Sequence, residues 1–166
     1  HMGIKDRRVL MIIRQMLKAG IMGERGENPL GTPQGGIISP LLANCYLHAF
    51  DEWCANQWET KKTRHDYTLQ ENRFAALKKN GNLKPGYLIR YADDWVLITN
   101  SRRNAEKWKW LITKFLKEEL RLKLSEGKTV ITDIRKRPIH FLGFEFSVTP
   151  GKARQGYIPR TKPSKD

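Results

Sequence analysis

Apolar residues return at three- and four-residue intervals over the first stretch of the chain. Val9, Ile12, Ile13, Met16 and Leu17 share one helical face between Ile4 and Ala19, and Gly20 offers a stop, which predicts an amphipathic helix with a basic outer face. Gly23 to Gly36 is rich in Gly and Pro without periodicity and reads as a loop. Ser39 followed by Pro40 then marks a second start, because a hydroxyl can cap the first turn and proline gives up only an N–H that has no partner there. That helix is predicted to reach about Asn56, burying a stripe of Leu41, Leu42, Cys45, Tyr46 and Trp53.

From Glu59 to Leu83 the pattern turns polar and basic. Leu69, Phe74 and Leu77 keep helical spacing, but Lys78, Lys79, Asn80 and Gly81 argue for an exposed excursion. Tyr87 to Tyr91 and Trp95 to Thr99 are short, aromatic and β-branched, with turn-tolerant residues between them, which predicts a β-hairpin. Asn104 is placed to cap a helix running to Leu122, with Trp108, Leu111, Ile112 and Phe115 on its inner side. Thr129 to Ile134 and His140 to Val148 read as two further strands, and the basic, Pro- and Gly-containing segment from Pro150 as a flexible edge. The element order predicts an α+β fold, an antiparallel sheet with helices on one face.

Charge narrows the partners. Thirty-one Lys and Arg against seventeen Asp and Glu give a net charge of +14 over 166 residues, a field that attracts polyanions, so nucleic acid leads. A membrane partner is not expected, because no long apolar span occurs and no single amphipathic helix carries the charge. Cys45 and Cys54 lack zinc-site spacing and read as reduced, partly buried thiols. His1-Met2-Gly3 reads as a vector remnant.

The candidate chemistry sits between the two strands of the hairpin. Consecutive side chains in mid-strand face opposite ways, but at a tight turn Asp93 and Asp94 can both project from one end. Two adjacent carboxylates repel, and a divalent cation relieves them. Mg²⁺ takes hard oxygen ligands and needs only one or two from the protein when substrate phosphates complete its shell. An isolated Asp-Asp pair between two strands is more often a solvated turn than a metal site.

The surrounding sequence favours the metal. Tyr91-Ala92-Asp93-Asp94, after Leu88-Ile89-Arg90 and before Trp95-Val96-Leu97-Ile98, resembles the YxDD hairpin of reverse transcriptases. Residues 32–44, with Pro33-Gln34-Gly35 inside them, resemble the PQG block of group II intron reverse transcriptases, and Leu124 to Thr129 and Phe141-Leu142-Gly143-Phe144 resemble that family's following blocks in order. Four residues alone recur by chance; four ordered blocks do not.

The resemblance implies a reverse transcriptase palm that lacks its first catalytic strand, over residues 4–149, with a basic insertion near 59–83 and a basic tail, 150–166, leading toward a thumb. It implies Mg²⁺, two ions in the full-length enzyme, on Asp93 and the more loosely engaged Asp94, and Lys128 near the incoming triphosphate. Pro33, Gln34, Gly35, Tyr91 and Ala92 would lie against nucleotide and template, and Phe141, Leu142, Gly143 and Phe144 would grip the primer. The implied partners are intron RNA, an RNA template, a DNA primer and dNTP, in a bacterial or organellar cytoplasmic ribonucleoprotein, and an exposed sheet edge invites self-association. The family's first catalytic aspartate precedes the opening helix, and Asp6, in a basic helix start, is no substitute. The 166 residues alone are therefore expected to be inactive. A competing expectation is a binding module that holds RNA without chemistry, with an affinity that survives Asp93→Asn.

Overall fold

A computed structural model describes residues 5–18, 38–80, 85–152 and 156–164, which form four helices and five strands. The chain divides into two compact units, His1–Ala49 and Phe50–Asp166. The predicted α+β class holds, with one correction. The strands form two small antiparallel sheets, a pair and a triplet, where the pattern predicts one.

In the first unit, α1 spans Arg7–Lys18. Asp6 caps it: its carboxylate accepts from the Arg8 N–H at 2.7 Å, so this side chain is spent on the helix end. The apolar stripe at Val9, Ile12 and Met16 is exposed. Helix α2, Ser39–Gln57, starts at the Ser-Pro signal and ends one residue past the expected Asn56. The predicted buried stripe is wrong in most of its members: Leu41, Cys45 and Tyr46 are exposed, Leu42 and Trp53 are half-buried, and the residues that close over are Phe50 and Cys54. Desolvation, reinforced by Asp51 and Glu59, pushes the Cys54 thiol far above its ordinary range, leaving it a packing group.

The second unit holds the core. Helix α3, Gln70–Asn80, occupies the polar stretch, and the Leu77 that kept helical spacing is buried. Arg73 staples this helix to the loop before it, donating to the Glu59 and Lys61 carbonyls. Strands β1, Gly86–Tyr91, and β2, Asp94–Thr99, form the predicted hairpin in a register that runs from Gly86 opposite Thr99 to Tyr91 opposite Asp94.

Helix α4, Arg102–Glu118, is capped by Ser101, whose extended backbone (φ −160°) lets Oγ accept from the Asn104 N–H; the expected cap, Asn104, lies inside the helix. The helix stops short of Leu122, where Arg121 takes a left-handed φ of 52° and the Leu122 N–H returns to the Leu116 carbonyl.

Aromatic rings join these elements. Trp53 stacks on Phe115 at 4.4 Å and meets Trp108 edge-on at 6.3 Å, while Phe50 meets Trp95 of β2 edge-on at 5.7 Å. Trp58 stacks on Phe74 of α3 at 5.0 Å. Such pairs add to the burial of each side chain, itself worth about 1.5–3 kcal/mol. Gly86 is required where it stands, because a Cβ there would overlap the Trp108 indole.

The second sheet departs most from expectation. Thr129 to Ile134 is not a strand: it ends in a turn at Asp133 and gives β4 a single backbone bond, Val148 N–H to the Ile134 carbonyl. The predicted strand from His140 to Val148 is instead a hairpin of β3, Ile139–Phe141, and β4, Phe144–Pro150. The tail forms β5, Tyr157–Pro163, paired with β4 along its whole length and fastened by Lys162 to Glu145 at 2.7 Å. Pro159 and Pro163 cannot donate to a ladder, which suits an edge strand.

Candidate active site

The hairpin delivers its two carboxylates to one end of β1 and β2. Tyr91 and Asp94 form the last pair, Ala92 and Asp93 make the turn, and Ala92 adopts φ 51°, a left-handed conformation uncommon for a residue with a Cβ. Asp93 and Asp94 are exposed, and Tyr91 beside them is 67% exposed although it belongs to a strand. An aromatic ring held in water by a strand end is available for contact.

One side chain fixes this tip. Arg90 Nε and Nη2 reach the Asp51 carboxylate of α2 at 2.8 and 2.6 Å, a planar two-bond fork, while Nη1 donates to the Ala92 carbonyl at 2.7 Å. The Arg90 side chain is only 10% exposed. Its guanidinium is held above its ordinary value by the Asp51 hydrogen bonds, with the charges of Asp51 and Asp93 adding and burial opposing. The same cation therefore anchors the turn to α2 and offsets part of the Asp93 charge. Its signal was present in the sequence as an arginine amid apolar strand residues, but Asp51 could not be named as its partner without the fold.

The donor set suits a hard cation incompletely. Asp93 and Asp94 supply adjacent carboxylates open to solvent, but among the described residues no group of three or more His, Cys, Asp or Glu is gathered. Two protein oxygens, with waters and substrate phosphates, match what Mg²⁺ accepts.

The remaining predicted residues are distributed as follows. Lys128 is exposed in the turn at Glu126 to Lys128, and that loop is tied to α4 by Lys109 Nζ, which donates to the Thr129 carbonyl at 2.8 Å. Phe141 and Phe144 face each other as the closing pair of the β3–β4 hairpin, and Leu142 and Gly143 turn it with φ of 51° and 76°. The Gly143 carbonyl accepts from the Ser164 N–H at 2.8 Å, so β5 supports this turn from behind. Strand β2 touches both α4 and β3. Pro33, Gln34 and Gly35 lie outside the described residues.

The family model described as "Reverse transcriptase (RNA-dependent DNA polymerase)" matches residues 2–146. The chain is 29% identical to the group II intron-encoded protein LtrA of Lactococcus lactis subsp. cremoris, over 97% of this chain and 33% of that protein. It is 34% identical to protein YkfC of Escherichia coli (strain K12), over 84% of this chain and 39% of YkfC. To the putative COX1/OXI3 intron 1 protein of Saccharomyces cerevisiae it is 28% identical, over 90% of this chain and 21% of the relative. The chain thus spans well under half the length of these curated relatives. With a family model covering most of its residues, this chain belongs to the reverse transcriptase (RNA-dependent DNA polymerase) family.

Proposed function

We propose that this chain is the palm portion of a group II intron reverse transcriptase and maturase, which copies RNA into DNA and assists the splicing and mobility of its intron. The observation that carries the reading is the Tyr91-Ala92-Asp93-Asp94 hairpin, with both carboxylates exposed at a tip that Arg90 ties to α2. Intron-encoded relatives from a bacterium and from yeast support the intron class.

Asp93 and Asp94 would hold Mg²⁺. When bound, the metal would offset charge on the triphosphate and favour the attacking 3′-hydroxyl. The residues of this chain then do the positioning. Arg90 keeps the turn in place, Tyr91 and Ala92 offer a surface to the nascent base pair, and Lys128 offers a cation to the triphosphate. Phe141, Leu142, Gly143 and Phe144, on a hairpin turn braced by Ser164, bear on the primer backbone. A basic surface of +14 holds template and intron RNA.

The reading extends to the chain taken alone. With Asp93 and Asp94 as its carboxylate donors, the 166-residue polypeptide would bind Mg²⁺ weakly and would not extend a primer. Among the described residues no helix is long and apolar enough to cross a membrane. Self-association would have to use an edge such as that of β5, where Arg160, Lys162 and two prolines oppose strand addition.

The test compares two properties of one variant. Asp93→Asn in the longer protein should abolish RNA-templated extension while leaving RNA binding intact. Extension that persists in the variant would reduce the chain to a binding module.

A further inference from the structure

Helix α4 has two opposite faces. Trp108, Ile112 and Leu116 are buried, and Phe115 beside them packs on Trp53. At 100° per residue, Arg103, Lys107, Trp110, Lys114 and Lys117 fall within an arc of roughly 80° on the other side, and all five are exposed. Trp110 is 63% exposed, a large apolar ring on a surface of cations. The Lys114 Nζ stands 5.7 Å from its ring centroid. Beside the stripe, Glu106 is engaged by Arg102 at 3.0 Å and Glu118 pairs with Lys114 at 3.9 Å, both at the surface.

A merely solvated helix face explains the lysines but not an indole, which loses by standing in water. A protein partner would cover the indole, but it would also have to desolvate the four cations around it. A polyanion with flat apolar faces satisfies both demands at once.

We propose that this face of α4 is a platform for single-stranded RNA, one base stacking on Trp110 while its flanking phosphates run along Arg103, Lys107, Lys114 and Lys117. The inference rests on the RNA-handling reading above and adds to it a surface of α4 separate from the Asp93 tip. The strand must be single, because a duplex keeps its base faces stacked on one another. From Arg103 to Lys117 the helix rises roughly 21 Å, room for several extended nucleotides.

Fluorescence anisotropy with the 166-residue chain, a labelled oligouridine and an RNA duplex of equal length tests this. Trp110→Ala should weaken oligouridine binding about tenfold and leave duplex binding unchanged. Trp110→Phe should keep most of the affinity, since a ring remains. Lys107→Ala with Lys114→Ala should weaken both ligands and flatten the salt dependence by roughly one unit of slope per cation removed. Trp110 is largely exposed, so circular dichroism of its variants should match the parent chain. Oligouridine binding by Trp110→Ala at wild-type strength would overturn the proposal and assign the face to a protein partner or to solvent. A wild-type chain that binds no RNA would overturn both this inference and the RNA-handling reading. Loss of extension in Asp93→Asn tests only the latter.

Discussion

Arg90 and Asp51, 39 residues apart, meet through two parallel hydrogen bonds, and the third arm of the guanidinium holds the carbonyl of Ala92. The strand that presents Asp93 is thereby pinned to the last turns of α2. Asp51→Asn keeps the shape but weakens the charge-assisted fork, and should cost roughly 2 kcal/mol, the pair being partly open to water on the aspartate side. Arg90→Lys keeps the charge and loses the planar fork, so it should not restore the loss. Urea unfolding checks the first value, and amide exchange at Ala92 and Asp93 should accelerate in both variants. Midpoints and exchange rates equal to those of the parent would show the clamp to be incidental.

Gly86 lies against Trp108, one of the most deeply buried side chains of the second unit. Gly86→Ala forces either β1 or the indole to shift, and overpacking of this kind costs about 1–3 kcal/mol. A lowered urea midpoint with an unchanged slope is the expected outcome. A stabilised variant would mean that β1 does not approach α4 this closely.

The turn after Thr129 carries a pH signature. The side-chain and backbone hydrogen bonds from Arg135 lower the Asp133 carboxyl to about 2. Because the folded value lies below the ordinary one of 3.8, the contribution of the pair is fully present above 3.8 and is lost as the pH falls through about 2. A carboxyl-carbon NMR titration should find the Asp133 midpoint well below those of unpaired aspartates, and Arg135→Gln should return it to the ordinary range. An unshifted midpoint in the parent chain would contradict the pairing.

The sequence revealed the elements whose information is local. Ser39-Pro40 marked the start of α2, and the turn-tolerant residues between two aromatic, β-branched runs marked the β1–β2 hairpin. Burial was less legible, because which face of α2 closes depends on distant rings: Phe50 is covered where α2 meets Trp95 and Phe115, neither of which its own periodicity could announce. The tail misled for a related reason. A basic run with two prolines has little strand character by itself, and it becomes β5 because β4 offers an edge and Glu145 a counter-charge for Lys162. Thr129 to Ile134 erred the other way, its β-branched residues being spent on a loop that Lys109 holds against α4. For the site, the two aspartates and the turn between the strands were readable. The Arg90 fork that positions them was not, since its partner lies on another element.

If Asp93 carries metal-dependent polymerisation as proposed, single-nucleotide incorporation on an RNA template by the longer protein must depend on its carboxylate. Replacing one carboxylate oxygen by an amide leaves the hairpin folded and removes a negative metal ligand, so Asp93→Asn should lower the rate constant by roughly a thousandfold or more. Asp133→Asn, an aspartate outside the hairpin, serves as the control and should leave the rate within about twofold, in line with the small effects of surface changes. A thousandfold loss confined to Asp93→Asn is the expected outcome. Incorporation by Asp93→Asn at the rate of the Asp133→Asn control would contradict it.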